Sequence, residues 1–483
     1  MGLLGILIAL VLLIFFAFRG WSVLLLAPIV ALLTAAFSKQ PLLANWTQIF
    51  MGSAAQFLAQ FFPIFLLGAL FGKLMEDSGS VTAIANSMTE KLGARRAVLA
   101  VVLAGAAVTY GGVSLFVAYF VLAPMAHALF RSAGIPRRLM PGAIFLGTST
   151  FTMSALPGTP SINNAIPMPF FGTTPFAAPG LGIIASLIML AVGLWWLARA
   201  EAAARRKGEG YGAETAAQID ATQDLIIRER ATTAREFDPA EIHRGCQTEK
   251  SPPMALAALP LLVVVGINLA MSLFILPRLD VSFLGEDRFG PTTLYAVGGV
   301  WAVVVALAAA IVVLIALNFR FLPDLRASMD AGANASVLPA VSVASLVGFG
   351  AVVAALPAFE IVRNWVLSIE GGPLISLAVA TNVLASLTGS ASGGLTIALD
   401  ALGSTYMHLA TELHINPELL HRVAVIGSGT LDSLPHNGAV VTLLAVCGAT
   451  HRESYLDIVM VSIVTGLLAL VAVIGLGTIF GSF

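Results

Sequence analysis

The sequence predicts an all-helical membrane protein that crosses the bilayer many times and is built from two inverted repeats. Of its 483 residues 58% are hydrophobic and 11% are charged, and the mean hydropathy is +0.93. Apolar runs long enough to cross a bilayer therefore fill most of the chain. Three polar, glycine-rich breaks interrupt these runs in each half, in the same order. We expect each repeat to contain five spans, one re-entrant hairpin and one broken helix.

The breaks are the feature on which the functional prediction rests. In the first half they are YGGVS at 110–114, GTST at 147–150 and SALPG at 154–158. In the second half they are SGGLT at 392–396, GSGT at 427–430 and DSLPHNG at 432–438. Helix breakers are costly inside a bilayer unless the freed backbone faces protein or a cavity. We therefore expect the breaks of both halves to meet at one site.

Basic residues indicate the orientation of the first repeat, residues 1–199, because Lys and Arg collect at cytoplasmic segment ends. At roughly 20 residues per crossing, the first three spans lie near 3–18, 21–38 and 55–75 and end in the cytoplasm. Residues 97–130 carry basic residues at both ends and the Gly-Gly break between them. This pattern predicts a re-entrant hairpin that enters from the cytoplasm. A broken run at 139–170 then crosses outward, and a span at 179–199 returns.

A polar linker at 200–252 joins the first repeat to the second, residues 253–483. The linker is predicted to be cytoplasmic, with a short surface helix within 219–229, and both termini are predicted to be periplasmic. The elements of the second repeat are spans near 254–277, 292–318 and 334–357, a hairpin at 374–407, a broken span at 421–450 and a last span at 455–480. Each half has an odd number of crossings, so the second half is predicted to be inverted relative to the first.

The chemistry of the breaks favours a small, polar, anionic ligand. Where a helix stops inside a membrane, its free N–H groups and positive dipole end suit a carboxylate. Glycines allow close approach of the ligand, and hydroxyls supply hydrogen bonds. The candidate substrate-binding residues are Gly111, Gly112, Ser114, Ser149, Thr150, Ser154, Ser392, Gly393, Gly394, Thr430, Ser433 and Asn437. A single Ser or Thr in a membrane helix more often bonds its own or a neighbouring helix, so the prediction rests on the paired recurrence.

Asp432 and His436 are the candidates for proton coupling. Asp432 is the only acidic residue in either broken span, and an ionisable group at membrane depth is costly enough to indicate a function. The imidazole of His436 titrates near neutral pH. The alternative is that the two side chains only tie the unwound segment together.

Other polar residues are predicted to have ordinary roles. Asn163 and Asn164 are expected in an outer turn, and five histidines near helix ends are expected to be interfacial or solvated. Those histidines are His127, His408, His414, His421 and His451. Two cysteines in different environments argue against a disulfide or a metal cluster. We expect no cofactor, and the net charge of -1 without a basic tract argues against nucleic acid.

The run TLDSLPHNGAVV at 430–441, continuing through Cys447-Gly448 to THRESY at 450–455, resembles the signature of the gluconate/proton symporter (GntP-type) family. The segment 147–169 is similar to the matching segment of that family. The resemblance implies proton-coupled uptake of gluconate, 3-hydroxybutyrate or another small hydroxycarboxylate across the bacterial inner membrane. It also implies the fold of the ion-transporter superfamily, an elevator-type motion and a possible homodimer.

Three alternatives stay open at this point. The asparagine-bearing hairpin motifs of sodium-coupled dicarboxylate carriers are absent at 110–114 and 390–394, which disfavours sodium coupling but leaves it open. A sodium/proton antiporter fits the fold but leaves the glycine-lined anion sites idle. An intramembrane hydrolase with Asp432, Ser433 and His436 gives no reason for a second, inverted copy of the site.

Overall fold

A computed structural model describes residues 2–18, 21, 23–93, 96–212, 245–248, 250–290, 292–435 and 437–483. These residues form helices and connecting turns, without a strand among them. The surface helix predicted within 219–229 lies outside the described residues, as does His436. Seven of the described helices are long and apolar enough to cross a membrane, which makes this a multi-pass membrane protein.

The first half opens with three apolar helices and a short fourth one. They are α1 (Gly2–Phe18), α2 (Val23–Phe37), α3 (Leu42–Asp77) and α4 (Ser80–Leu92). Helix α3 begins well before the predicted span at 55–75, because a π-helical segment, Asn45–Phe50, continues it without a break. It ends at Asp77, and the chain then turns at Gly79, whose φ of +68° is a left-handed conformation that favours glycine.

A helical hairpin follows, as α5 (Ala97–Tyr110) and α6 (Leu115–Ala133) pack against each other. The turn between them falls at the predicted Gly-Gly sequence, and Gly112 has a φ of +99° there. Only glycine adopts this backbone conformation without strain. The structure thus breaks the segment where the sequence indicates, and its re-entry from the cytoplasm stays a prediction.

The first broken span contains four short helical segments before the long helix α11. They are α7 (Met140–Thr148), α8 (Phe151–Ser154), α9 (Ile162–Ala165) and α10 (Pro167–Phe171), and α11 is Pro179–Arg206. Prolines at 157, 160 and 175 lie between these helices. A proline has no N–H to donate, so continuous helix is unfavourable here.

The second half repeats this order of long, paired and broken helices. Its elements are α12 (Met254–Arg278), α13 (Leu294–Phe321), α14 (Leu325–Ala354), α15 (Phe359–Leu367), α16 (Pro373–Thr388), α17 (Ala391–Glu412), α18 (Pro417–Ser428), α19 (Gly438–Val446) and α20 (His451–Phe480). Helices α16 and α17 form the second hairpin, and α18 and α19 form the second broken span.

Several long helices of the first half pack against long helices of the second half. Helix α2 packs against α14 and α3 packs against α13, while α11 packs against α20. Each hairpin lies against the broken span of its own half, α5 on α7 and α16 on α18. One large hydrophobic core joins both halves, and a smaller one unites α1 and α2 with α14. The hairpins and broken spans therefore lie side by side in the interior.

Candidate functional site

The breaks of both halves border one cavity of about 220 Å³. Each hairpin tip contributes to its wall, and so does each broken span. The predicted site residues among its lining are Gly112, Ser114, Ser149, Ser154, Ser392 and Asp432. Helices α3 and α14 close the remaining side, the latter near Ser336, where it departs from regular geometry. The cavity therefore unites segments as far apart in the chain as Ile64 and Ala439.

At the first hairpin tip the beginning of α6 faces the cavity. Ser114 stands at the N-cap position, but its hydroxyl makes no capping hydrogen bond. The first helical bond of α6 runs from the Ala118 N–H to the Ser114 carbonyl, at 3.0 Å. Leu115 and Val117, in the first turn, lie in the cavity wall. The positive end of the helix dipole is thus directed to the cavity, as an anion site requires.

The second hairpin tip has a different helix start. The Ser390 hydroxyl accepts a hydrogen bond from the Gly393 N–H at 3.1 Å, so α17 is capped by its own chain. The Ser390 and Ser392 hydroxyls lie 3.2 Å apart, and Ser392 reaches the cavity wall. A Cβ at Gly394 would overlap the backbone of Ala385 in α16. This glycine serves the close packing of the two hairpin arms.

Several of the predicted residues support the walls without lining the cavity. A Cβ at Gly111 would overlap Leu261 of α12, and one at Gly393 would overlap Leu346 of α14. The Thr150 hydroxyl donates to the Leu146 carbonyl, and the Thr430 hydroxyl to the Ile426 carbonyl, each at 2.7 Å. These residues let helices approach or satisfy local backbone groups.

The second break is held by its own side chains. The Ser433 hydroxyl donates to Asp432 Oδ1 at 3.3 Å. Asn437 caps α19, because its Oδ1 accepts from the Ala439 N–H at 2.7 Å, and its Nδ2 donates to the Gly389 carbonyl at 2.7 Å. Asn437 therefore ties this break to the second hairpin tip. Of the two predicted proton-coupling residues, Asp432 lies in the cavity wall, and His436 is outside the described residues.

The prediction of an outer turn at Asn163 and Asn164 is wrong. Asn163 is buried and lines the cavity, and Asn164 is fully buried. Nδ2 of Asn164 donates to the carbonyls of Thr159 and Pro175, at 3.0 and 2.9 Å. These bonds fold the proline-rich loop of the first broken span inward. The neighbouring prolines, which suggested a surface turn, instead free backbone carbonyls that Asn164 then satisfies.

The prediction that His421 is interfacial or solvated is also wrong, because its side chain is fully buried. Nδ1 lies 2.6 Å from the Thr173 hydroxyl and Nε2 lies 3.1 Å from Asn164 Oδ1. Its neighbour Arg422 is buried too and donates to the carbonyls of Ala177 and Ser154, at 2.6 and 3.2 Å. These two residues of α18 join the second broken span to the first. A charged residue at the edge of an apolar run was the signal in the sequence.

Comparisons with known proteins agree with this architecture. A family model described as GntP family permease matches residues 1–173. The chain is 40% identical over 472 residues to the uncharacterized transporter YxjC of Bacillus subtilis strain 168, covering 96% of each chain.

Two solved transporter structures share the fold. Neisseria gonorrhoeae MtrF, described with a class of antimetabolite efflux pumps, matches with a TM-score of 0.53 at 15% identity over 89% of this chain and 83% of that one. The YdaH transporter of Alcanivorax borkumensis matches with a TM-score of 0.53 at 15% identity over 91% and 89%. At this identity the likeness concerns the fold alone.

Proposed function

Because the chain belongs to the GntP permease family and is a transporter rather than an enzyme, we propose that it carries a small hydroxycarboxylate into a bacterial cell together with a proton. The substrate is of the gluconate or 3-hydroxybutyrate class. The site is the cavity between the two hairpins and the two broken spans.

The observation that carries this proposal is the convergence of all six breaks on one cavity of about 220 Å³. Its wall combines the beginning of α6 with the hydroxyls of Ser149, Ser154 and Ser392. A helix N-terminus favours a carboxylate, and hydroxyls exchange hydrogen bonds with the hydroxyl groups of a substrate. A hydroxycarboxylate carries both kinds of group, and a cavity of this size holds a small molecule rather than a lipid.

Asp432 is the proposed proton carrier at the cavity wall. When its carboxyl is protonated, a substrate anion enters without like-charge repulsion, and when it is ionised the anion is repelled. Proton and anion are therefore favoured together, which is the requirement for symport. His436, four residues further on, is the second candidate for the same role.

The two halves supply the proposed movement. The hairpins and broken spans form the substrate-carrying unit, and the remaining long helices form a scaffold in the inner membrane, which is the part proposed to dimerise. The inverted order of the halves gives two related arrangements of the same elements, one open to each side.

Uptake into proteoliposomes tests the proposal. Labelled gluconate and 3-hydroxybutyrate are offered separately, with and without an inward proton gradient, to the parent protein and to Asp432→Asn. We expect one acid to accumulate only with the gradient, and Asp432→Asn to retain exchange while it loses accumulation. Asp400→Asn is a matched control, because Asp400 is an exposed carboxyl on α17 away from the cavity wall.

Two results contradict the proposal in different ways. If the parent protein accumulates an acid with a sodium gradient and not with a proton gradient, the coupling ion is sodium. If neither acid moves in either gradient, the substrate class is wrong.

A further inference from the structure

The cavity wall includes one buried cationic side chain near the end of a long helix. Lys73, near the end of α3, lines the cavity and is 3% exposed. Its Nζ lies 3.2 Å from Glu76 Oε2 and 3.1 Å from Asp77 Oδ1. All three side chains are buried, so one positive and two negative charges share a space with little water. Such a group is costly to keep unless it has a function.

Both carboxylates have hydrogen-bond donors besides Lys73. The Ser328 hydroxyl and the Cys246 N–H donate to Asp77 Oδ2, at 2.6 and 3.3 Å. The Gln247 side-chain amide donates to Glu76 Oε1 at 2.6 Å. When Lys73 turns to another anion, each carboxylate keeps a donor on its other oxygen, whereas Asp77 Oδ1 and Glu76 Oε2 lose their contact with the ammonium group. A proton taken up on one of these two oxygens offsets that loss.

Lys73 lies beside the beginning of α6. A Cβ on the preceding residue, Gly72, would lie 3.6 Å from the Ser114 backbone nitrogen. The backbone of α3 thus contacts the first turn of α6, and both border the same cavity. Lys73 and the positive end of the α6 dipole therefore border the same cavity, and both attract a carboxylate bound in it.

We propose that Lys73 binds the substrate carboxylate, and that Glu76 and Asp77 hold Lys73 while the site is empty. The proposal rests on the proposed function, because it assumes an anionic substrate in this cavity. The cluster has a net charge of about -1, since one ammonium faces two carboxylates. A bound monoanion makes this about -2, and a proton taken up on a Glu76 or Asp77 oxygen restores the original charge. Because a proton is taken up together with the substrate anion, substrate affinity rises as the pH falls.

The neighbouring elements bring few other charges to this cluster. Helix α14 contributes the neutral Ser328, and its charged residues Arg326 and Asp330 are 93% and 70% exposed and face each other. The segment 245–248 contributes Gln247 and the thiol of Cys246, which is exposed. Ser78 and Ser80, at the turn into α4, contribute hydroxyls. Asp432 is the acidic residue among those that line the cavity. Among the described residues, Glu76, Asp77 and Asp432 are therefore the groups among which a pH effect must be assigned, and His436 is assigned with them as the second proton-coupling candidate.

Equilibrium binding of gluconate and 3-hydroxybutyrate to the purified full-length protein, measured from pH 5 to pH 9, tests the proposal. We expect Lys73→Gln to weaken binding by about tenfold or more, because a charge-assisted hydrogen bond is lost. Lys73→Arg keeps the charge and should restore part of the affinity. Glu76→Gln imitates the protonated state, so it should bind more tightly than the parent protein at high pH and show a flatter pH dependence.

Two controls keep these results interpretable. Lys91→Gln removes an exposed cation from α4 and should bind as the parent protein does. If Lys73→Gln fails to fold with two buried carboxylates, the double variant Lys73→Gln, Glu76→Gln retains the net charge of the cluster and should still bind weakly.

Unchanged affinity in Lys73→Gln would overturn the proposal. So would a pH dependence that survives in Glu76→Gln and in Asp77→Asn but disappears in Asp432→Asn, and in that case proton-coupled uptake itself would stand. If the parent protein binds neither acid, the proposed substrate class fails and the role of Lys73 fails with it.

Discussion

The two hairpin tips hold equivalent places in the two halves, yet their chemistry differs. In the first, α6 begins at the cavity without a side-chain cap, and Gly112 lies in the wall. In the second, Ser390 caps α17, and Gly394 lies between the hairpin arms. In the first half one glycine of the Gly-Gly sequence, Gly112, borders the cavity, whereas in the second half both glycines serve helix packing. The first tip is suited to an anion, whereas the second mainly shapes and closes the cavity.

The largest expected difference is between alanine substitutions at the two glycines. In Gly394→Ala the new Cβ meets the backbone of Ala385, which cannot move aside, so we expect a loss of about 3 kcal/mol or more in stability. In Gly112→Ala the cost is about 1–2 kcal/mol for a left-handed alanine, and uptake should fall more than stability. Thermal unfolding in detergent and uptake by reconstituted protein measure both effects.

Gly266→Ala is the control for both substitutions, because no atom lies within 4 Å of a Cβ at that position. Equal unfolding temperatures for Gly394→Ala and Gly112→Ala would contradict this prediction, because they would show that the two hairpin tips tolerate a side chain equally well.

A smaller difference is expected between the bonds that tie each hairpin to its broken span. Asn437→Ala removes the cap of α19 and the bond to Gly389, so we expect a loss of about 1–3 kcal/mol from two hydrogen bonds. Tyr110→Phe removes one bond, from the Tyr110 hydroxyl to the Pro157 carbonyl at 2.8 Å, and should cost about 1 kcal/mol. Unfolding in denaturant measures the free energy of unfolding of the two variants. A larger loss in Tyr110→Phe than in Asn437→Ala would contradict this prediction.

The smallest difference concerns the two serines at the helix starts. Ser390→Ala removes a helix cap and should cost about 1 kcal/mol of stability. Ser114→Ala removes no cap, so stability should change by less than about 0.5 kcal/mol, while substrate affinity should fall. Melting temperatures and binding constants of the two variants separate these effects. A loss of stability in Ser114→Ala that equals the loss in Ser390→Ala would mean that both helices are capped.

The order of helices was predictable because the cues are local. Apolar runs set the long helices, and the Gly and Pro breaks at 111–114 and 157–160 interrupt them where expected. The start of α3 was missed because the π-helical segment at Asn45–Phe50 carries polar residues that resemble a loop. This segment packs against α14 and α2, and these tertiary contacts stabilise its helical conformation. The local sequence does not reveal contacts of this kind.

The composition of the site was less predictable because its contacts are distant in sequence. Nothing near Gly393 or Gly394 in the chain distinguishes packing against Leu346 or Ala385 from packing against a ligand. His421 and Arg422 follow a proline and a helix start, which favours a surface position, but their partners lie about 250 residues earlier. Lys73 likewise has the spacing of a membrane-end lysine, and only the folded chain brings Ser328 and Gln247 to its carboxylate partners.

The bonds made by His421 and Arg422 have a mechanical consequence. They fasten α18 to the loop of the first broken span, across the boundary between the two halves. A movement that separated the broken spans would leave a guanidinium and an imidazole without partners in apolar surroundings, at a cost of several kcal/mol. These bonds therefore hold the two broken spans together as one unit, and a displacement that keeps the bonds moves both spans together.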